Sequence, residues 1–477
     1  MRLGLVSATW IDGATIDVGH DGSNTDRLPR GDGSMDLLDQ VSELRSEASL
    51  PRMVRVRQHF DAPVVADIDG TVARELAPFL TAITPGSRVG ITAGSRGIAN
   101  IGHILRAIGD AVRAHGGDPF IIPAMGSHGG ATADGQTEVL HSYGISPETT
   151  GMQIVSSMEV REIAHLGDDH DRGPTVFMSE TALAADGLII CGRVKPHTDF
   201  RGPVESGLAK IMTIGLGKHR GAQTVHAYGT RGLAHWMPRA AQAMVQVSGT
   251  VLAGLAILEN AYDQTARLVG VEASEIGGAG EAVLLEEAKG LMASLPFDDI
   301  DVLVVDEMGK NISGTGMDTN IIGRMLIRGV PEFVRPNIRS IVVRDLTDES
   351  HGNGAGIGLA DIMTQYAARK LDLRATYING LTSGIGGVQR VQLPIVMPTD
   401  VDAICASVLT CGRGDPENVR VVRIANTLEI GTIEVSETLL DAVRANPRLE
   451  ILSAPYPWVF DSSGNLPVKA PAHAAAH

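Results

Sequence analysis

The chain has 477 residues, more than one ordinary hydrophobic core contains, and this length fits two large α/β lobes. The hydrophobic fraction of 43% and the charged fraction of 20% are typical of a globular protein rather than a disordered or fibrous one. With 40 Lys and Arg against 56 Asp and Glu, the formal net charge is −16, and only 4% of the residues are aromatic. This composition argues against nucleic acid as the main partner.

The cysteines and the N-terminal sequence bear on the compartment. Three cysteines are too few for a disulfide scaffold, and none belongs to a CxxC pair that would indicate zinc or redox chemistry. The N-terminus lacks the basic-then-apolar pattern of a signal peptide, and no apolar run reaches the ~18 residues of a membrane span. We therefore expect a cytoplasmic protein without a membrane partner, and a homo-oligomer is compatible with the sequence.

In chain order, the first region is polar and the next is regularly patterned. Residues Asp17–Asp36 are rich in Gly, Asp, Asn and Arg and predict a surface loop. The apolar run Arg88–Thr92 predicts a buried strand. A glycine-containing loop follows, and then a helix from Ile101 whose apolar side chains recur on one face. Pro119–Ala124 predicts the next strand, before a second glycine loop and a helix that ends near His141.

The same alternation continues to the end of the chain and predicts βαβ units with parallel sheets. Further strands are expected at Gly187–Cys191, Val251–Leu258, Val302–Val305, Ile341–Val343, Gln392–Val396 and Val421–Ile424, and further helices at Trp236–Val245, Glu281–Leu295 and Ala360–Leu371.

These patterns predict two α/β domains with mainly parallel, Rossmann-like sheets and an active-site cleft between them. The N-terminal domain, residues 1–297, is expected to bind a cofactor and carry the catalytic groups. Residues 298–460 form the predicted C-terminal domain, and Pro296–Asp299 resembles a hinge. The Ala-, Pro- and His-rich end, residues 461–477, predicts a disordered tail.

Unusual polar residues follow several of the predicted strands. They lie at Ser95–Arg96, Ser127–His128, Lys195–His197 and Gly309–Asn311. Ligands of parallel α/β sheets bind at the carboxyl ends of the strands, so these residues should collect on one rim.

Two of these loops offer imidazoles for acid–base chemistry. His128 has glycines on both sides, which leave its ring unshielded and allow close backbone approach to a ligand. His197 follows Pro196, whose fixed φ helps to aim the next side chain. An imidazole exchanges protons near neutral pH, and inversion of a stereocentre needs one such group on each face. The simpler alternatives are a helix-capping histidine at 128 and an exposed loop histidine at 197.

A lysine and further histidines follow. Lys210 lies among small residues, where a lowered pKa would suit it to a covalent attachment, although a surface lysine is the simpler interpretation. His219 and His226 are seven residues apart and could share a metal only on a helix. Lys218 and His219 are alternatives to Lys210 and His226 for any cofactor role.

Taken in order, these motifs resemble the nickel-dependent lactate racemase family. The resemblance covers roughly residues 60–330 and rests on Gly126-Ser127-His128-Gly129-Gly130, Pro196-His197, Ser206-Gly207-x-x-Lys210 and His226. Members of that family carry a nickel pincer nucleotide, the nickel complex of pyridinium-3,5-bisthiocarboxylic acid mononucleotide, joined to a lysine through a thioamide. The cofactor takes a hydride from C2 of a 2-hydroxy acid and returns it to either face, while two histidines exchange the hydroxyl proton.

The resemblance implies a role for each matching residue. It makes His128 and His197 the acid–base pair, Lys210 the attachment point of the cofactor and His226 the nickel ligand. It also implies that Ser206 and Gly207 contact the cofactor and that Ser95 and Arg96 lie near its phosphate, where a glycine loop before a helix suits an anion.

Differences from the family pattern bear on the substrate. The family loop Asp-x-Thr-Arg-Pro is Ala93-Gly94-Ser95-Arg96-Gly97 here, so a carboxylate is missing. A substrate carboxylate needs a cation, and Lys310 and Arg324 are the candidates in the second domain. We expect a small 2-hydroxy acid, which need not be lactate and can be as large as a sugar acid.

The sequence therefore predicts an isomerase, a racemase or epimerase acting at C2 of a 2-hydroxy acid. Two alternatives remain open at this point. One is a metal- or nucleotide-dependent hydrolase or lyase that uses the same histidines, and the other is a non-catalytic protein that binds the cofactor or ligand.

Overall fold

The computed structural model describes residues 49–467, so the polar stretch Asp17–Asp36 lies outside the described residues. We number the strands β1 to β15 in chain order. They are Met53–Gln58, Arg88–Ala93, Asp118–Pro123, Val160–Gly167, Arg172–Ser179, Gly187–Arg193, Val251–Glu259, Thr265–Glu272, Asp299–Met308, Asn337–Leu346, Ile362–Thr364, Ile395–Met397, Val421–Ile424, Thr432–Ser436 and Leu449–Ile451.

Helices connect most of these strands. They span Ile68–Leu80, Ile101–Ala114, Ala133–Ser142, Pro147–Thr150, Glu180–Leu183, Leu208–Lys210, Lys218–His226, Gly229–Arg231, Met237–Ser248, Ala279–Leu291, Thr319–Ile322, Gln365–Lys370, Leu373–Thr382, Gly384–Arg390, Asp400–Thr410 and Leu440–Ala445. Between residues 49 and 467, none of them combines the length and apolar composition needed to cross a membrane.

The first sheet has the strand order β3-β2-β6-β7-β8, and β8 alone is antiparallel to its neighbour. We call this sheet, with its helices and the β4-β5 ribbon, the first lobe. The chain moves outward in one direction from β2 to β3 and in the other from β6 to β7. The strand order therefore reverses between β2 and β6, and ligands of open α/β sheets bind in the crevice at such a point.

The second sheet has the order β12-β11-β10-β9-β13-β14-β1-β15 and forms the second lobe. Its five strands from β12 to β13 are parallel, and the remaining pairs are antiparallel. Its own order reverses between β9 and β13. The predicted α/β class with two mainly parallel sheets is confirmed.

Strand β1 lies far from its partners in sequence. Met53–Gln58 pairs with β14 and β15, so the chain starts its described part in the second lobe and then builds the first. The prediction that residues 1–297 form one domain therefore differs from the structure, in which Met53–Gln58 belongs to the second lobe. Two chain segments connect the lobes, one after Gln58 and one after Leu291.

Two further sequence expectations need correction. The helix predicted over 360–371 is instead strand β11 followed by a helix from Gln365. This is because Ile362 and Met363 pair with β10, and the Thr364 side chain caps the helix. The tail predicted over 461–477 is ordered at its start, since Leu466 is buried and its backbone bonds Arg344 and Asp400. Residues 468–477 lie outside the described part.

One buried carboxylate anchors the start of strand β9 through hydrogen bonds. Asp301 is 0% exposed and accepts hydrogen bonds from Arg413 (2.9 Å) and from the side chain and backbone of Arg420 (2.9–3.0 Å). Burial alone would raise its pKa, but these arginines hold the pKa of Asp301 below its usual value. A carboxylate whose folded pKa is depressed stabilises the fold above the unfolded pKa, and that contribution is lost as the pH falls below it.

We expect Asp301→Asn to lower the free energy of unfolding at pH 7 by about 2–4 kcal/mol, because charge-assisted bonds are lost and a buried site is left poorly paired. Denaturant titration measures the difference, which should shrink below pH ~4. The matched control is Asp441→Asn at an exposed ion pair with Arg444, where about 0.5 kcal/mol or less is expected. Equal losses in both variants would contradict the assignment.

Candidate functional site

The two lobes bring their strand-end loops together. Arg96 follows β2 and His197 follows β6, so these residues flank the crevice where the strand order of the first sheet reverses. Lys310 follows β9 in the second lobe. Burial and the nearby charge of Arg96 lower its pKa, so Lys310 lies close to the first lobe's loops. The predicted convergence of polar residues between the lobes is thus found in the structure, and we call this region the cleft.

His197 makes hydrogen bonds through both ring nitrogens. The backbone N–H of Asp199 donates to Nδ1 at 3.0 Å, and Nε2 lies 2.7 Å from Nζ of Lys210. Burial and the Lys210 charge hold the pKa of His197 well below its usual range. The imidazole is therefore neutral at neutral pH.

This pair of bonds fixes the protons on both residues. A neutral imidazole carries one proton, and Nδ1 of His197 already accepts from the Asp199 backbone, so the proton lies on Nε2. Nε2–H can donate to Lys210 only when the amine of Lys210 is uncharged, a form that its lowered pKa of about 8 makes accessible just above neutral pH. The geometry thus suits an Nε2–H imidazole beside the neutral form of the lysine.

The surroundings of Lys210 favour the same state. Burial and the positive charge of Arg96 lower its pKa to about 8, and the opposing effect of the Asp199 carboxylate is smaller. Lys210 ends the short helix Leu208–Lys210, which passes into a π-helical segment, Ile211–Leu216, an irregularity common at functional sites. A neutral amine is the nucleophilic form of lysine, so this position suits a covalent attachment.

In protein made without added cofactor, Lys210 should react with acetic anhydride at pH 8 far faster than an ordinary lysine. Near its pKa about half of the amine is neutral, on the order of a hundredfold more than for a typical lysine. Peptide mass spectrometry across a pH series gives the apparent pKa. Lys370 is the internal control, since Asp345 and Asp348 raise its pKa despite partial burial. An apparent pKa above 10 at Lys210 would refute the assignment.

His128 lies in the loop after β3 and faces the same charges. Its ring is accessible to solvent, yet burial by the surrounding cleft, together with Arg96 and Lys210, lowers its pKa to about 4. The loop turns at Gly129, with φ +65°, where a Cβ would lie 2.4 Å from the backbone of Gly135. Both predicted acid–base histidines therefore lie within electrostatic reach of Lys210 and are neutral at pH 7.

Lys218 serves the fold rather than the cleft. Its side chain is 0% exposed, and Nζ donates to the Pro123 carbonyl and, at 2.9 Å, to Oε1 of Gln136. Gln136 in turn donates to the Gly126 carbonyl at 2.9 Å and to that of His128 at 3.4 Å. Lys218 therefore supports the His128 loop, and Lys210 is the lysine that reaches the histidines.

His226 is the histidine on the cleft side of helix Lys218–His226. Burial and Lys210 lower its pKa, and Asp199 opposes them, so the three groups lie near one another. His219 is exposed at the other end of the helix. Among the described residues no three His, Cys, Asp or Glu side chains form a group that could hold a metal ion. His226 thus offers a single protein ligand at this point.

The predicted cofactor-binding residues near Lys210 have different surroundings. Ser206 pairs through its backbone with Lys195 and closes the loop that carries His197. Gly207 packs against Glu281, whose Oε1 would lie 2.2 Å from an added Cβ. On the other side of the crevice, the Ser95 carbonyl accepts a bond from Tyr143 at 3.2 Å. The close approach of Glu281 therefore leaves no room for a side chain at Gly207.

Of the two predicted substrate-binding cations, one lies in the cleft. Lys310 donates to the carbonyl of Gly314 and to Oδ1 of Asn379 at 3.1 Å. Arg324 instead bonds Asp361 at 2.7 Å and the Ile338 carbonyl at 3.0 Å, at the amino ends of β10 and β11. That edge of the sheet is opposite the cleft, so the expectation that Arg324 binds substrate is corrected.

Three residues of the site were missed from the sequence. Asp199 affects the pKa of His197, Lys210, His226 and Lys310, and Glu205 accepts a bond from the His197 backbone at 2.6 Å. Arg390 of the second lobe pairs with Asp199. The acidic residues lie beside Pro196-His197 and Ser206-Gly207, which was a usable signal. No local pattern marks Arg390.

A small cavity between the lobes lies to one side of the predicted residues. Charged side chains from the ends of β6 and β7 and from the loop after β9 line part of it, and the linker at Met292–Ala293 closes it. The charged lining residues are Arg193, Lys195, Glu259, Asp263 and Asp318. None of the predicted site residues lines this cavity.

The fold and the cleft define a two-lobed α/β protein whose polar residues converge at the strand ends. No protein-family model matches the sequence, and no curated protein matches it. One solved structure, a Thermotoga maritima protein determined by the Northeast Structural Genomics Consortium, is similar over 60% of this chain and 71% of its own. The TM-score is 0.41 and the identity is 11%. A likeness this distant carries no functional argument.

Proposed function

We propose that the protein is a racemase or epimerase acting at C2 of a 2-hydroxy acid, with a nickel pincer nucleotide attached to Lys210. The observation that carries this proposal is the contact between the amine of Lys210, whose pKa is lowered to about 8, and one neutral imidazole, His197, with a second, His128, within electrostatic reach. Racemisation by proton and hydride exchange needs both a covalent anchor and two weak bases.

The residues present fit the cofactor. Lys210 supplies a nucleophilic amine for the thioamide link, and His226 supplies one imidazole for the metal. Arg96 is placed for the phosphate, after β2 and before the helix Ile101–Ala114. When bound, the cofactor supplies one function that side chains lack, which is to accept a hydride from C2 and return it to either face.

The chain itself moves the hydroxyl proton and holds the carboxylate. His128 is neutral at pH 7 and can accept the hydroxyl proton on one face, while His197, which carries its proton on Nε2, can donate on the other. Lys310 and Arg96 bring positive charge to the cleft from opposite lobes, which suits a carboxylate. Both lobes must therefore contribute to substrate binding.

Protein purified from cells that make the cofactor should contain about one nickel per chain and carry an added mass on Lys210. Lys210→Arg should remove both signals, because a guanidinium cannot form the thioamide. Lys289→Arg, on an exposed helix position, is the matched control and should retain both. Intact-mass and metal analysis provide the readouts. Nickel bound equally by wild type and Lys210→Arg would exclude attachment at this lysine.

The same preparation tests the chemistry. His128→Ala and His197→Ala should each lower kcat on a responsive 2-hydroxy acid by about 100-fold or more, while nickel content stays unchanged. Deuterium at C2 should remain on carbon through turnover. Exchange of that label into solvent would instead support enolate chemistry by a lyase, and absence of turnover with ligand still bound would support a binding protein.

A further inference from the structure

One peptide group links the second lobe to the acid–base centre. The peptide between Thr198 and Asp199 has its N–H directed at Nδ1 of His197, at 3.0 Å. Its carbonyl oxygen points the other way, toward the second lobe. The orientation of this single peptide unit therefore decides which nitrogen of His197 carries the proton.

Two side chains of the second lobe hold that carbonyl. Arg390 donates to the Thr198 oxygen through Nη2 at 2.9 Å, and the Thr319 hydroxyl donates to the same oxygen at 2.9 Å. A second nitrogen of Arg390, Nη1, pairs with the Asp199 carboxylate. The carbonyl thus has two donors from the opposite lobe.

Arg390 is rigidly placed for this contact. It ends the helix Gly384–Arg390 and is 4% exposed, and its Nε and Nη2 both donate to the Met325 carbonyl, at 3.0 and 2.8 Å. A guanidinium anchored on its own lobe keeps a fixed direction when it reaches across. The contact is therefore made by a preset donor rather than by a mobile surface arginine.

The first lobe holds a different part of the same loop. Glu205 accepts from the His197 backbone at 2.6 Å and from Arg201 at 3.2 Å, which fixes the chain at His197. These bonds do not involve either ring nitrogen of His197. The first lobe positions the histidine, and control of its proton is left to the 198–199 peptide.

We propose that Arg390, assisted by Thr319, is a positioning residue through which the second lobe sets the tautomer of His197. By holding the Thr198 carbonyl, Arg390 directs the Asp199 N–H at Nδ1, and the imidazole proton is kept on Nε2. Lys210 then faces an N–H donor rather than a lone pair. The catalytic meaning of this tautomer rests on the proposed function, but the tautomer itself does not.

The test uses unloaded protein labelled with 15N at histidine, with the His197 signals assigned from His197→Gln. In wild type at pH 9, above the Lys210 pKa of about 8, NMR should show Nδ1 unprotonated and Nε2 protonated. Arg390→Gln and Thr319→Val, singly and together, should lower the ratio of the Nε2–H to the Nδ1–H form by about three- to tenfold. This is the size expected when one hydrogen bond is lost. An unchanged ratio in the folded double variant would overturn the proposal.

Two control variants separate this positioning role from a general loss of stability of the second lobe. Arg324→Gln removes a partly buried arginine of the same lobe that bonds Asp361 and the Leu359 carbonyl, and it should lower stability while leaving the His197 tautomer unchanged. Asp199→Asn keeps the backbone N–H, so it should also retain the wild-type tautomer. A change in Asp199→Asn as large as in Arg390→Gln would show that the carboxylate, not the peptide, is responsible. If Arg390→Gln does not fold, Arg390→Lys provides the same comparison.

Failure of this test and failure of the proposed function are distinguishable. The NMR measurement needs neither cofactor nor turnover. A protein without nickel can still show the Arg390-dependent tautomer, and a nickel enzyme can lack it.

Discussion

The site depends on one loop that is held by hydrogen bonds from both lobes. Residues 195–201 follow β6 and carry His197, with Glu205 bonded to their backbone from the first lobe and Arg390 from the second. Arg201 of the same loop donates to Asn320 across the cleft at 2.7 Å. A surface loop without such partners has many conformations, and the entropy of fixing it must be offset by contacts of this kind. The geometry of His197 is therefore a property of the assembled lobes.

Buried charged side chains hold each of the functional loops in place through hydrogen bonds. Lys218 supports the loop of His128 through Gln136, Glu205 holds His197, and Glu281 accepts from the backbone beside Lys210, at Ala209, at 3.2 Å. An ion removed from water is unfavourable unless it is fully bonded. A buried ion can, however, bind two or three main-chain groups at once. It can therefore fix a loop that has no regular ladder of backbone hydrogen bonds.

The sequence predicted the parts of this arrangement that local patterns encode. Apolar runs before glycine loops located β2, β3, β6 and β9, and the rule that parallel strands end at one edge then brought Arg96, His128 and His197 together. Partners distant along the chain were not predictable. Strand β1 joins the second sheet through residues almost 400 positions away, and no local signal marks that pairing.

Two arginines of the second lobe show the same limit. Arg324 and Arg390 have no motif that places either of them. Arg324 was named with Lys310 as a cation for a substrate carboxylate, but the left-handed turn at Gly323 and the bonds to β10 direct it to the opposite edge. Which cation faces a cleft depends on the packing of whole helices, and sequence spacing does not report that.

The charge balance of the cleft depends on a carboxylate in the loop after β6. Ala93, at the end of β2, is buried and carries no charge. Arg96, Lys210 and Lys310 would then face one another unopposed, which costs free energy in a partly dehydrated site. Asp199 supplies a carboxylate from the β6 loop instead, since it favours the charged forms of both lysines.

That carboxylate is not free to neutralise the cleft. Arg390 is paired with it, so a buried cation from the second lobe takes up part of its charge. The remaining excess is positive, although the chain as a whole carries −16. A local positive field inside an acidic protein favours a small anion that fits the cleft, while the surrounding surface repels polyanions. The positive groups of the cleft therefore come from both lobes, and the proposed binding of a carboxylate depends on the two lobes together.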